Sequence, residues 1–235
     1  MWTPDYTNCP AASVLYADCP WAFGDKLPGA SRGAEKNYSV LTVEDLKGYP
    51  LPPQRDDCML FLWRVAAMQP EALAVVAAWG YTVKSEVVWA KTRGTTSEDA
   101  SARRKWMGCP AHGSRAVLLA GACNACLRIL TEPREHFGMG RYVRNAHEVC
   151  LIGVRKLGNN GKSLRHVPKV RNRAVRSTLH APYRGHSAKP IEMYTLIEKL
   201  MPGPYVELFA RTQQPGWHAY GDQLGEVSRP AELSG

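Results

Sequence analysis

The sequence predicts an α/β domain around a mostly parallel sheet, and three observations carry that prediction. Continuous apolar runs of strand length recur along the 235 residues. Segments of helical pattern, with their own start and stop signals, stand between those runs, and Gly or Pro marks most junctions. The first run, residues 13–17, leads straight into Asp18-Cys19-Pro20-Trp21. A short helix is expected over 42–47, where Thr42 can cap and Asp45 stands three residues on. Residues 58–63 form a second unbroken apolar run, suited to a strand buried on both faces. A helix is expected over 64–79, with Gly80 at its C-terminal cap, and a third strand over 81–91. The fourth strand is expected over 149–154. Pro190 then opens a helix whose buried stripe is Ile191, Tyr194, Ile197 and Leu200. Pro202-Gly203-Pro204 closes it, and 205–209 is the fifth strand. In such sheets ligands bind beyond the carboxyl ends of the strands, which puts Asp18 and Arg211, each just after a strand, on one edge.

Composition narrows the class. The formal net charge is +9, but residues 155–184 hold nine basic side chains and no acidic one, so the rest of the chain is neutral. A neutral body with one basic segment excludes a uniformly cationic architectural protein and points to a polyanionic partner; a solvated loop explains the charge equally well. No apolar run reaches the roughly 18–20 residues of a membrane span. The N-terminus lacks a basic region followed by an apolar stretch, so export is not expected. Seven cysteines without an export signal fit a reducing, cytoplasmic setting. The tail 225–235 is expected to fray.

Asp18-Cys19-Pro20-Trp21 places an acceptor, a bend and a flat ring at a strand end. An exocyclic amine on a base is a poor nucleophile, because its lone pair is delocalised into the ring. A carboxylate and a backbone carbonyl that accept its two hydrogens would favour a pyramidal nitrogen, and a tryptophan could stack on the base. Taken alone, the four residues are more simply a turn with a core tryptophan.

They are not alone. Ala17-Asp18-Cys19-Pro20-Trp21, Leu60-Phe61-Leu62-Trp63, Trp79-Gly80-Tyr81, Val88-Trp89-Ala90-Lys91, Arg144-Asn145-Ala146-His147-Glu148, Leu151-Ile152-Gly153-Val154, His186-Ser187-Ala188-Lys189-Pro190 and Glu207-Leu208-Phe209-Ala210-Arg211 follow one another, with Trp217 and Gly221-Asp222-Gln223-Leu224 after them. In this order they resemble the MT-A70 family, the S-adenosylmethionine-dependent adenine N(6)-methyltransferases of RNA and DNA. The resemblance covers roughly residues 13–92 and 138–224. It implies a Rossmann-like methyltransferase fold in permuted order, with the catalytic loop before the cofactor strand. It also implies roles by position. Asp18 and the Cys19 carbonyl would hold the target amino group, with Pro20 shaping the loop and Trp21 against the ring. Lys189 would face the methionine carboxylate of the cofactor. Arg211 and Gln223 would contact its ribose and adenine end with Asp222 beside them, and Glu207 and Phe209 belong to the same block. Two departures stand out. The family usually has proline at Cys19, so the loop loses a fixed φ, and some family members are inactive scaffolding subunits. Thr212, Gln213 and Gln214 replace a His-Asn pair found in some relatives. Trp63, Trp79 and Trp89 are expected in the core, and His147 and His186 as structural loop residues.

Residues 93–137 exceed what the family core needs and read as an insertion within one domain spanning 1–235. They hold Cys109-Pro110-Ala111-His112 and Cys123-Asn124-Ala125-Cys126. Two short-spaced pairs separated by a loop fit one tetrahedral structural zinc at Cys109, His112, Cys123 and Cys126; reduced cysteines packed in a small subdomain fit as well. The expected activity is therefore methyl transfer from S-adenosylmethionine to adenine N(6) in a nucleic acid. DNA is preferred over RNA, because small size suits a compact DNA enzyme. The other class is a silent nucleic-acid-binding subunit of the same fold. Phosphate contacts are expected from Arg141, Arg144, Arg155, Lys156, Lys162, Arg165, Lys169, Arg171 and Arg173.

Overall fold

The computed structural model describes residues 3–22, 40–93, 118–119, 122–123, 135–138, 142–155, 168–185 and 187–224, with backbone alone at 118–119 and 122–123. The expected frayed tail, 225–235, lies outside the described residues. The chain packs as two compact units. The first is Met1–Val88, Glu148–Ser177 and Tyr194–Gly235; the second is Trp89–His147 and Thr178–Met193, which contains the expected insertion. Among the described residues no helix is long and apolar enough to cross a membrane.

In the first unit β1 (Ala12–Ala17) is buried at every position, as its unbroken apolar sequence requires. It lies between β2 (Gln54–Arg64) and β8 (Tyr205–Leu208), parallel to both. β9 (Trp217–Tyr220) extends the sheet parallel to β8, while β6 (His147–Arg155) runs antiparallel to β2 from Val149 to Val154. The first half of β3 (Tyr81–Thr92) follows beside β6. The sheet is thus mixed rather than mostly parallel. β2 is also longer than its apolar run: its first four residues, Gln54, Arg55, Asp56 and Asp57, are half-buried or exposed. Trp63 and Tyr16 are buried side by side, with the Trp63 indole N–H donating to the Tyr16 hydroxyl at 2.7 Å. Cys9, Cys19, Cys58 and Cys150 are buried and outside any disulfide, and burial pushes the Cys58 thiol up to about 11.

Helix boundaries follow local chemistry. α1 (Val43–Lys47) has the full capping box, with the Thr42 side chain accepting from the Asp45 N–H and Asp45 accepting from the Thr42 N–H at 3.0 Å. α2 (Gln69–Ala78) starts later than the pattern suggested: Ala66–Met68 is a 3-10 turn and Pro70 stands in the first turn. Gly80 takes φ +84 and its N–H closes on the Ala77 carbonyl, the left-handed stop expected of glycine. α3 (Glu192–Leu200) corrects the expected stripe. Ile191 precedes the helix and is 52% exposed, whereas Met193 and Ile197 are fully buried. Pro190 ends the extended lead-in, so helical phase starts two residues later and selects Met193, Leu196 and Ile197.

In the second unit the far half of β3 runs beside β7 (Thr178–Pro182). The Trp89 indole donates to the Ala181 carbonyl at 2.9 Å and the Tyr183 N–H to the Thr92 carbonyl at 2.9 Å. Lys91 sits 5.3 Å and 5.5 Å from the Trp89 and Tyr183 ring centres, and His136 stacks on Tyr183 at 4.1 Å. β4 (Leu118–Leu119) and β5 (Ala122–Cys123) form a separate antiparallel pair.

Candidate active site at the β1 and β8 strand ends

Parallel pairing in register brings the two key loops together. Ala17 pairs with Leu208, so β1 and β8 end at the same level and release Asp18 and Phe209 at one edge. The Arg211 guanidinium stands 3.7 Å from the Asp18 carboxylate, and both side chains are partly exposed. The acid that follows β1 and the cation that follows β8, far apart in sequence, are therefore an ion pair at the sheet edge, where topology placed them.

The loop after β1 is tied down without the usual second proline. The Trp21 N–H donates to the Cys19 carbonyl at 2.9 Å, across Pro20. Leu41 N–H donates to the Pro20 carbonyl at 2.8 Å, and Ala22 N–H to the Leu41 carbonyl at 2.9 Å. The Trp21 indole reaches the Trp63 carbonyl at 3.2 Å. Two expectations are sharpened by this. The Cys19 carbonyl accepts from the Trp21 N–H, and because a carbonyl oxygen has two lone pairs it can accept from an amine as well. Trp21 is only 5% exposed and belongs to the core, so in this conformation it presents no open face on which a base could stack.

Glu207 lies behind the ion pair. It is paired in register with Tyr16 on β1 and is 6% exposed. The Tyr194 hydroxyl, from the first turns of α3, lies 3.0 Å from both carboxyl oxygens. Burial raises this carboxyl to about 8, with the Asp18 charge acting in the same sense, while the Tyr194 hydrogen bond and Arg211 pull it down. Tyr194 packs edge-on against Tyr16 at 5.4 Å and Trp217 at 5.0 Å. Trp217 stacks on Tyr205 and donates its indole N–H to Glu198 at 2.8 Å. This aromatic box fixes Glu207 in a protonated-acid environment and was not visible from spacing; Tyr194 registered in the sequence only as an apolar stripe position.

The turn carrying Asp222 and Gln223 docks on the strand end through glycine. A Cβ on Gly221 would run into the Ala210 carbonyl oxygen, so only glycine permits that approach. The Ala210 N–H donates to the Tyr220 carbonyl at 3.0 Å. Phe209 itself adopts φ +59, left-handed backbone that is costly for a bulky side chain and concentrates at functional sites. Gln213, in the stretch that departs from the family, donates to the Trp217 carbonyl at 2.6 Å and so braces the connection between β8 and β9.

A methyl-donor nucleoside fits this set. The edge offers the Asp18 carboxylate, the Arg211 guanidinium and the strained Phe209. It also holds one buried hydroxyl, that of Tyr49, with no hydrogen-bond partner among the described residues. Buried polar groups in folded chains are almost always hydrogen-bonded, so an orphan donor at this edge calls for an explanation.

The other expected residues divide by place. Lys189 and Arg144 belong to the second unit; there Arg144 lies 5.9 Å over the half-exposed Phe137 ring. Arg184 is also in that unit, forked onto Glu192 at 2.6 and 2.8 Å. In the first unit Lys169, Arg171 and Arg173 are exposed, and the Arg171 N–H is anchored on the Leu200 carbonyl. Arg155 acts structurally, donating to the Gln54 and Arg55 carbonyls at 2.9 and 3.1 Å, with Asp56 4.0 Å away. Arg141, Lys156, Lys162 and Arg165 lie outside the described residues, as do Cys109, His112 and Cys126, while of Cys123 only the β5 backbone is described. Among the described residues no cluster of His, Cys, Asp or Glu could hold a metal.

Comparison with known proteins bears out the family resemblance. Residues 126–223 match the MT-A70 family model. The chain is 28% identical over 219 residues to the N(6)-adenosine-methyltransferase subunit METTL3 of Danio rerio and to the N(6)-adenosine-methyltransferase catalytic subunit METTL3 of Homo sapiens, covering 92% of this chain and 28% of each of those proteins. It is 25% identical over 231 residues to the type II methyltransferase M.MunI of Mycoplasma sp, covering 90% of this chain and 77% of that protein. The chain thus spans little more than a quarter of the METTL3 relatives. The resemblance read from the motifs stands: residues 126–223 match the MT-A70 family model, and the METTL3 proteins are similar to this chain over most of its length.

Proposed function

We propose that the chain is an S-adenosylmethionine-dependent methyltransferase acting on the N(6) amino group of adenine in a nucleic acid, with DNA as the first acceptor to test and RNA the second. The observation that carries this reading is the Asp18–Arg211 pair at 3.7 Å, which joins the catalytic loop to the cofactor block at one sheet edge. The names of the relatives, N(6)-adenosine methyltransferases and a type II methyltransferase, support it.

When bound, the cofactor supplies an electrophilic methyl group on a sulfonium. The chain's own residues prepare the acceptor. The Asp18 carboxylate accepts one hydrogen of the exocyclic amine and the Cys19 carbonyl accepts the other through its second lone pair, so that the nitrogen lone pair turns out of the ring plane. The amine held in this way would take up the methyl group that the bound cofactor supplies, and its surplus proton leaves to water. Arg211 and Gln223 hold the nucleoside end, and Asp222 stands beside the nucleoside contacts. The exposed Lys169, Arg171 and Arg173 contribute salt-dependent phosphate contacts that guide the strand without selecting the base.

The order of parts is the permuted methyltransferase arrangement. We place a structural zinc at Cys109, His112, Cys123 and Cys126; the antiparallel β4–β5 pair that ends on Cys123 supports a small folded element there. Metal analysis of the purified chain should return about one zinc per chain. The buried thiols outside any disulfide support a reducing, cytoplasmic setting.

Transfer from radiolabelled cofactor to DNA and RNA side by side, followed by nucleoside analysis, tests the activity. Label in N(6)-methyladenosine from RNA or in N(6)-methyl-2′-deoxyadenosine from DNA supports it. Binding of nucleic acid with no binding of cofactor, measured by calorimetry, replaces it with the silent-subunit alternative.

A further inference from the structure

Tyr49 follows α1 in a proline-rich stretch, Gly48-Tyr49-Pro50, where no periodicity marks it as functional. Its backbone N–H is used within the turn, donating to the Leu46 carbonyl at 3.2 Å. The side chain is 4% exposed, yet its hydroxyl has no hydrogen-bond partner among the described residues. Leaving a buried hydroxyl unpaired costs about 1–3 kcal/mol, so the position is expensive if the ring does no more than fill space. A phenylalanine would fill the same volume without the penalty.

The surroundings place the Tyr49 side chain beside the strand-end site. The Tyr49 ring packs against Phe209 with centroids 4.6 Å apart and a tilt of 48°. Phe209 is the residue forced into left-handed backbone, φ +59, at the end of β8. Cys19, in the loop after β1, and Asp222, in the turn seated on Ala210 by Gly221, both lie within electrostatic reach of the hydroxyl. Burial and those two neighbours hold the phenol well above its ordinary value, so it remains a donor across the physiological range. Two of its three marked neighbours, Phe209 and Asp222, belong to the nucleoside side of the site and one, Cys19, to the amine side.

We propose that Tyr49 is a ligand-contacting residue whose buried hydroxyl donates a hydrogen bond to the nucleoside end of the bound methyl donor, to a ribose oxygen or a purine ring nitrogen. The assignment rests on the methyl-donor reading above. It predicts an unusual pair of effects for Tyr49→Phe. Without ligand, the variant should be more stable than the parent chain, because an unsatisfied buried group has been removed; a melting point about 2–4 °C higher corresponds to ~1 kcal/mol in a chain of this size. With ligand, it should be weaker.

The experiment is isothermal titration of the full chain and of Tyr49→Phe with S-adenosylhomocysteine and, separately, with 5′-methylthioadenosine, which lacks the amino-acid end, alongside thermal unfolding of both proteins without ligand. The expected result is a loss of affinity for both ligands by the same factor, roughly five- to tenfold for one hydrogen bond, together with the raised melting point. Equal affinities in parent and variant overturn the assignment while leaving the methyl-donor reading intact. So does a loss seen with S-adenosylhomocysteine but not with 5′-methylthioadenosine, which would place the hydroxyl at the amino-acid end. A lowered melting point with unchanged affinity makes Tyr49 a purely structural residue. Failure of the parent chain to bind either ligand overturns the methyl-donor reading and the assignment together.

Discussion

Replacing Glu207 with glutamine should remove a pH dependence from the stability of the first unit. The carboxyl is held at about 8 in the folded chain against an ordinary 4.5, with burial the largest cause. Between those values the folded chain keeps the proton and the unfolded chain has lost it. The folded state therefore binds more protons, and stability falls as pH rises through that window, the reverse of a salt-bridged carboxylate. At about 1.4 kcal/mol for each pH unit, the penalty once both states are ionised has a ceiling of ~5 kcal/mol. Near pH 5 only about 1 kcal/mol of that penalty is present. Glutamine copies the shape of the protonated acid and can still bond the Tyr194 hydroxyl, which now lies 3.0 Å from both carboxyl oxygens. Urea unfolding followed by tryptophan fluorescence, run from about pH 5 to pH 9 on both proteins, reads the difference directly. The parent chain should lose stability relative to Glu207→Gln as pH rises, and the variant should be the more stable protein at the alkaline end. Parallel curves would refute the reasoning. They would mean that the Tyr194 bond and the Arg211 charge outweigh burial, leaving Glu207 an ordinary ionised carboxylate.

Three other substitutions separate the parts of the site. Asp18→Asn should cut methyl transfer by about a hundredfold or more, while S-adenosylhomocysteine affinity stays within a few-fold; unchanged turnover removes Asp18 from the chemistry. Gly221→Ala forces a methyl group into the Ala210 carbonyl. It should cost about 1–3 kcal/mol of stability in thermal or urea unfolding and loosen the Asp222–Gln223 turn; a neutral result would show that the turn does not need its close seat. Changing Lys169, Arg171 and Arg173 together to alanine should weaken nucleic-acid binding and make the plot of log affinity against log salt shallower by about two to three; an unchanged slope moves the strand path away from this segment.

How much of this was legible in the sequence depended on how strongly each element is buried. β1 and the 58–63 part of β2 declared themselves because neither face meets water, so no polar residue interrupts the run. β7 and β9 did not: each buries a single side chain, Ala181 and Trp217, and a strand with one buried residue has no pattern to read. Direction was hidden for another reason. Val149–Val154 is as apolar as β1 but runs antiparallel to β2, and composition is blind to the sense of a strand. The helix after Pro190 was found and then phased wrongly. Ile191 looks like core to any hydrophobicity count, but proline geometry leaves it before the first helical turn.

The site divides along the same line. Asp18 and Arg211 could be placed together because both follow strands, and parallel neighbours in register must end at one edge; that argument needs topology but no side-chain detail. Glu207 could be named from its motif but not understood, since its condition depends on Tyr194 from a helix, Tyr16 across the sheet and Asp18 beyond the strand end. Tyr49 could not be found at all, because what distinguishes it is the absence, among the described residues, of a partner for one buried oxygen. Motifs record residues whose identity is fixed by chemistry at one position. Burial and unmet hydrogen bonds arise only when distant segments meet, and at this sheet edge they determine which groups keep their protons. The basic segment shows the same limit from the side of charge: Arg155 is taken up by two carbonyls of β2 and Arg184 by Glu192, while Lys169, Arg171 and Arg173 stand exposed. Nine equal charges in sequence are therefore unequal in function, and the phosphate-binding proposal rests on those whose folded surroundings leave them facing solvent.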